Sequence, residues 1–135
     1  MSKKIRYLTE LDLARLEKCA AEPGAAPARQ AMLDELLERA EIVDAHKVAS
    51  NVVTMNSQVT LVSERSGEPV TFTVVYPAGA NVEAGRLNVF SPAGLALLGA
   101  KRGDTVRFTP PSGAVETLKI DRILFQPEAA DNFSL

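Results

Sequence analysis

The stretch "SPAGLALLGAKRGD", residues 91–104, decides how this chain folds. From Gly94 it runs Gly, four residues, Gly, Ala, Lys, close to the G-x-x-x-x-G-K-[ST] loop that cradles phosphates. The lysine comes one position late, and Arg102 stands where a magnesium-binding hydroxyl belongs. "LALL" would pack leucines rather than present backbone N–H groups, so the phosphate-loop reading fails. A nucleophilic Ser91 would need a base, and the single histidine, His46, falls on a connecting segment. What remains is a short packing helix. Ser91 caps it, Pro92 opens its first turn, and Gly99 or Gly103 ends it. Leu95, Leu98 and Ala96 are the residues expected to face a sheet.

On both sides of that helix the apolar period is two. Val59 with Leu61, then Val70, Phe72, Val74 and Tyr76, then Leu87 with Val89 mark three strands. Val106 with Phe108, and Leu118 with Ile120, mark two more. Turn signals separate them: "SERSGEP", "PAGANVEAG" and "PPSG". The last strand changes phase, from Leu118 and Ile120 to Ile123 and Phe125, which predicts a bulge near Asp121-Arg122. Five strands with one helical insert predict an antiparallel α+β domain over residues 46–135.

Residues 9–43 read instead as two helices. Thr9 followed by Asp12 is a capping signal, and Leu13, Leu16 and Ala20 follow at helical spacing. "EPGAAPA" breaks the pattern, and Pro27 opens a second helix. There Leu33, Leu36, Ala40 and Val43 follow the spacing of a coiled-coil seam, with Asp34, Glu35, Glu38 and Glu41 as its solvated face. The two helices make an antiparallel hairpin over residues 1–45, an arm of roughly 20 Å. "DAHKVASN" (44–51) is the expected hinge.

Composition narrows the function. The chain of 135 residues carries 15 basic and 17 acidic side chains, a net charge of −2, and no tryptophan. Without a basic face or a stacking platform, direct nucleic-acid binding is not expected. No apolar run approaches the roughly 20 residues that span a bilayer, and no signal peptide opens the chain, so a cytoplasmic protein without a membrane partner is expected. Cys19 is the single cysteine, so no intrachain disulfide forms, and on its helix it reads as an idle thiol. His46 reads as a solvated linker residue, not a metal ligand. No metal, no cofactor, no small-molecule substrate and no catalytic residue are expected.

The segment "SPAGLALLGAKRGDTVRFTPPSGAVETLKIDRI" (91–123) resembles the C-terminal signature of the Gre family of bacterial transcription elongation factors. That signature is Ser-Pro, a short helix ending in Leu-Gly, Gly-Asp, a strand, a Pro-x-Gly turn and a final strand. "VVTMNSQVTL", "VVYPAGANVEAGRLNVFSPAG" and "FQPEAADNFSL" are closer still to that family's nucleoside diphosphate kinase regulator branch. The resemblance implies an FKBP-like globular domain that docks at the rim of the RNA polymerase secondary channel. It also implies a coiled-coil arm pointing into that channel. The implied docking residues are Phe90, Ser91, Pro92 and Ala93, at the start of the short helix. Cleavage-stimulating members carry paired acids at the arm tip to help hold a catalytic magnesium. Here the tip residues Glu22, Pro23 and Gly24 offer one carboxylate, and the family's Asp-Leu-Ser-Glu-Asn-Ala-Glu-Tyr tip pattern has no counterpart. The expectation is a non-enzymatic, polymerase-binding regulator that competes with longer-armed factors. Its rivals are an FKBP-type prolyl isomerase, which needs an aromatic-lined pocket, and a cleavage factor that uses Glu22 with a borrowed acid.

Overall fold

The computed structural model describes residues 5–109 and 113–133. Strand β1 (Arg6–Thr9) leads straight into helix α1 (Glu10–Ala20), and helix α2 (Pro27–Leu37) is followed by strand β2 (Ala40–Val43). β1 and β2 pair in parallel, with Arg6 opposite Ala40 and Thr9 opposite Val43. Parallel neighbours need a crossover, and the helical hairpin supplies it. The expected helical seam is therefore corrected. Leu33 and Leu36 lie on α2 and are buried, whereas Ala40 and Val43 lie on a strand. The adjacent β-branched pair Ile42-Val43 favours extended backbone, and β1 offers it an edge to join.

The hairpin itself forms as its sequence dictates. The Thr9 hydroxyl accepts the Asp12 N–H at 3.0 Å, and Pro27 occupies the first position of α2. Asp34, Glu35, Glu38 and Glu41 are all exposed.

Five further strands build one sheet: β3 (Gln58–Ser63), β4 (Pro69–Val75), β5 (Arg86–Asn88), β6 (Thr105–Phe108) and β7 (Glu116–Phe125). Their order is β5-β4-β3-β7-β6. Four of these strands pair antiparallel, but β5 runs parallel to β4, so the sheet is mixed rather than antiparallel. The connection from β4 to β5 reverses direction twice, through single 3-10 turns at Pro77–Gly79 and Val82–Ala84. β7 pairs Leu61 with Ile120 and Thr60 with Arg122, leaving Asp121 unpaired at the expected bulge. A second register shift leaves Leu124 unpaired, between Ile123 and Phe125. The "PPSG" turn falls on residues 110–112, outside the described residues, and Gly113.

Between β5 and β6 lies helix α3 (Pro92–Leu97), the packing helix expected from "SPAGLALLG". Ser91 caps it through the Gly94 N–H at 3.1 Å. Ala96, Leu97 and Leu98 are buried, while Leu95 is half-buried and turns to a side cleft. The apolar cluster beneath it joins sheet residues Val59, Leu61, Val74, Val106 and Ile120 to Leu16, Leu33 and Leu36 of the hairpin.

Gly94 sets how closely α3 approaches β5. A Cβ there would lie 2.3 Å from the Asn88 carbonyl oxygen and 2.8 Å from Val89 Cα, both backbone atoms that cannot step aside. Gly94→Ala is expected to destabilise the fold by about 3 kcal/mol, the upper end for overpacking. A fall in the urea unfolding midpoint at unchanged slope checks this, and a midpoint equal to that of the parent refutes it.

Candidate functional site

The leading edge of α3 forms a ledge. Ser91 Oγ donates to the Asn88 carbonyl at 2.6 Å, and Asn88 Oδ1 accepts the Phe90 N–H at 2.9 Å. Pro92 is exposed, and Ser91 and Ala93 are half-buried. Phe90 is only 8 % exposed and belongs to the core cluster. Over its ring sits the Arg29 guanidinium of α2, with Cζ 5.6 Å from the ring centroid, a cation–π distance. The same guanidinium donates to the Cys19 carbonyl at 3.3 Å and lies 3.8 Å from the Glu22 carboxylate. One arginine therefore links the ledge to the hairpin tip, two places that sequence reasoning treated separately. Pro23 and Gly24 are exposed on that tip, and Gly24 turns it with φ +81°. Burial pushes the pKa of the half-buried Cys19 thiol up.

Asp12 does more than the sequence suggested. Its carboxylate is buried and accepts the Met55 N–H at 3.0 Å, tying α1 to the start of the sheet. Burial is the main cause that pushes its pKa up to about 7, with Glu128 adding repulsion and the Met55 N–H and Arg15 opposing it. Beside it, Thr54 Oγ1 donates to Glu128 at 2.6 Å and meets Ser57 Oγ at 2.9 Å. The Tyr76 hydroxyl is buried near Arg15 without a partner in hydrogen-bond geometry, and burial pushes its pKa well above the usual phenol value. Arg15 in turn donates to the Phe133 carbonyl at 2.6 Å, and the His46 ring lies 4.1 Å from the Phe133 ring. These contacts pin the C-terminal segment beneath the hairpin base. Among the described residues, no group of three or more His, Cys, Asp or Glu side chains is placed to hold a metal ion. None of their helices is long and apolar enough to cross a membrane.

A second cluster escaped sequence reasoning altogether. Arg6, Arg39 and Arg107 line a cleft of about 350 Å³ beside the ledge, together with Pro92 and Leu95. The β1–β2 pairing gathers the first two, since the Arg6 N–H donates to the Arg39 carbonyl at 2.9 Å. The only signal in the sequence is the short extended character of "RYLT" and "AEIV", which flanking helices obscure.

This architecture, a helical hairpin rooted in a strand pair beside a mixed sheet with one capped helix, has known counterparts. Residues 48–124 match the family model described as "Transcription elongation factor, GreA/GreB, C-term". The chain belongs to that family. It is 34% identical over 137 residues to the regulator of nucleoside diphosphate kinase of Escherichia coli K12, covering all of both chains. It is 39% identical to the elongation factor GreA of Beijerinckia indica over 98 residues, which are 73% of this chain and 62% of that protein. Among solved structures, a GreA/GreB elongation factor from Nitrosomonas europaea superposes with a TM-score of 0.73 at 32% identity. That match covers 91% of this chain and 100% of the other. The GreA factor homolog 1 protein of Thermus thermophilus superposes with a TM-score of 0.51 at 25% identity, covering 91% of this chain and 100% of its own.

Asp12 gives the fold a pH dependence. The folded state keeps a proton on Asp12 that the unfolded chain releases above its ordinary value of 3.8. Stability therefore falls as pH rises from about 4 to about 7 and levels off above that, by an amount on the order of 3 kcal/mol. Asp12→Asn keeps an acceptor for Met55 and should flatten that slope. Unfolding free energies at pH 5 and 8 for both proteins check this, and parallel pH profiles would refute it.

Proposed function

We propose that this protein is a non-enzymatic transcription regulator that binds RNA polymerase at the rim of the secondary channel. It competes there with longer-armed Gre factors and does not stimulate transcript cleavage. The family membership supports the general class, an elongation-factor-like regulator. One observation carries the specific reading: the single tip carboxylate, Glu22, lies 3.8 Å from Arg29 rather than standing free with a second acid. A magnesium site built on paired carboxylates needs two acids in the right geometry, and this tip supplies one, half-exposed beside Arg29.

The accessible ledge of Ser91, Pro92 and Ala93 is the proposed docking edge, with Phe90 as the buried support beneath it. We read the part that carries the sheet as an FKBP-like domain and the α1–α2 hairpin as a short coiled-coil arm. Helices of 11 residues give that arm about 16 Å at 1.5 Å per residue, shorter than its sequence promised. The seat of Arg29 over Phe90 supports an arm folded close to the ledge. Linked regulation of nucleoside diphosphate kinase belongs to the same reading, on the likeness to a relative of that name.

The test is co-elution with RNA polymerase core, displaced by a Gre factor. Pro92→Asp should weaken binding by about tenfold, or ~1.4 kcal/mol. An acid at the first helical position suits the helix dipole, so folding should be preserved. Added to backtracked complexes, the protein should release no short RNAs. No co-elution at micromolar concentration, or cleavage lost on Glu22→Ala, would overturn the reading.

A further inference from the structure

The arginine cleft has a chemistry of its own. Arg6 is only 6 % exposed, yet its Nε and Nη1 have no hydrogen-bond partner among the described residues, and neither does Nε of Arg39. Desolvation, and then repulsion from Arg39, both weaken the hold of Arg6 on its proton, whereas Asp104 opposes them. Two like charges are thus held together with donors aimed at nothing. Arg107 enters the same cleft from β6, and Glu35 is the one carboxylate among its lining residues. Buried guanidinium groups are retained where an anion completes them, because the fork of N–H donors matches oxyanion geometry.

We propose that this cleft binds the phosphoryl group of a small phosphorylated molecule. Its lining draws one arginine from β1, one from the residue before β2 and one from β6. Donors arriving from three elements suit a tetrahedral anion with oxygens in several directions better than a carboxylate, which accepts in one plane. The lining also includes the apolar Leu95 and the aromatic Phe108, which would cover a carbon moiety attached to the phosphate. The cleft also shares Pro92 with the ledge, so an occupant would sit beside the docking edge. The assignment does not rest on polymerase binding and is tested without polymerase.

The experiment titrates the full chain with pyrophosphate, inorganic phosphate and phenyl phosphate in a low-salt, phosphate-free buffer. Heat of binding and melting temperature are the readouts. Pyrophosphate should bind and raise the melting temperature beyond chloride at matched ionic strength. Arg39→Gln and Arg107→Gln should each weaken binding by about tenfold or more. Both residues are less buried than Arg6, so these variants stay informative even if Arg6→Gln does not fold. Phenyl phosphate binding tighter than inorganic phosphate supports a carbon-bearing ligand, and the reverse order supports the free anion. No heat or melting shift at millimolar pyrophosphate would overturn the proposal. So would binding unchanged in both variants, or succinate binding as tightly as pyrophosphate.

Discussion

Gly99 is the point on which the two parts of the molecule meet. Its N–H donates to the Val53 carbonyl at 2.8 Å, and its own carbonyl accepts the Tyr7 N–H at 3.0 Å. Its backbone is left-handed at φ +80°, and a Cβ would lie 2.9 Å from Arg6 Cβ and 3.0 Å from Tyr7 backbone atoms. Only glycine satisfies both demands. Through this one residue the segment that leads into β3, the segment after α3 and β1 at the root of the hairpin share a continuous run of backbone hydrogen bonds. The Lys101 ammonium, 4.5 Å from the Tyr7 ring centroid, closes over the same joint.

That joint explains why the candidate sites lie together. α3 presents its underside to the sheet, its leading edge to the ledge and its flank to the arginine cleft. Arg29 brings the hairpin tip toward Phe90 from one side, while β1 delivers Arg6 from another. The ion pair of Arg29 with Glu22 is partly solvated and contributes little to stability. Its significance is positional, because it occupies the only acid at the tip.

Elements governed by local rules were legible in the sequence. The Ser91 cap, the Thr9 cap, the five period-two strands and the Asp121 bulge each follow from residues within a few positions of one another. Features created by distant pairing were not. "RYLT" and "AEIV" each span four residues, carry charges, and gain strand character only from each other. Helical spacing therefore continued, wrongly, through Ala40 and Val43. The parallel setting of β5 depends on two 3-10 turns that composition marks only as a loop. Asp12 reads as a cap residue because its distant acceptor role, toward Met55, has no local signature. The arginine cleft combines residues 6, 39 and 107 and was invisible for the same reason.

The parallel pairing of β1 with β2 has a further consequence. It fixes the two feet of the hairpin side by side, about 4.8 Å apart, on the globular body. Leu16, Leu33 and Leu36 pack the inner turns of the hairpin into the core, so only its outer end can vary in length. Matched helical turns could be added there at about 5.4 Å each without disturbing Gly99 or the sheet. Arm length is thus an independent variable of this architecture. A single body of this kind can carry hairpins of different reach.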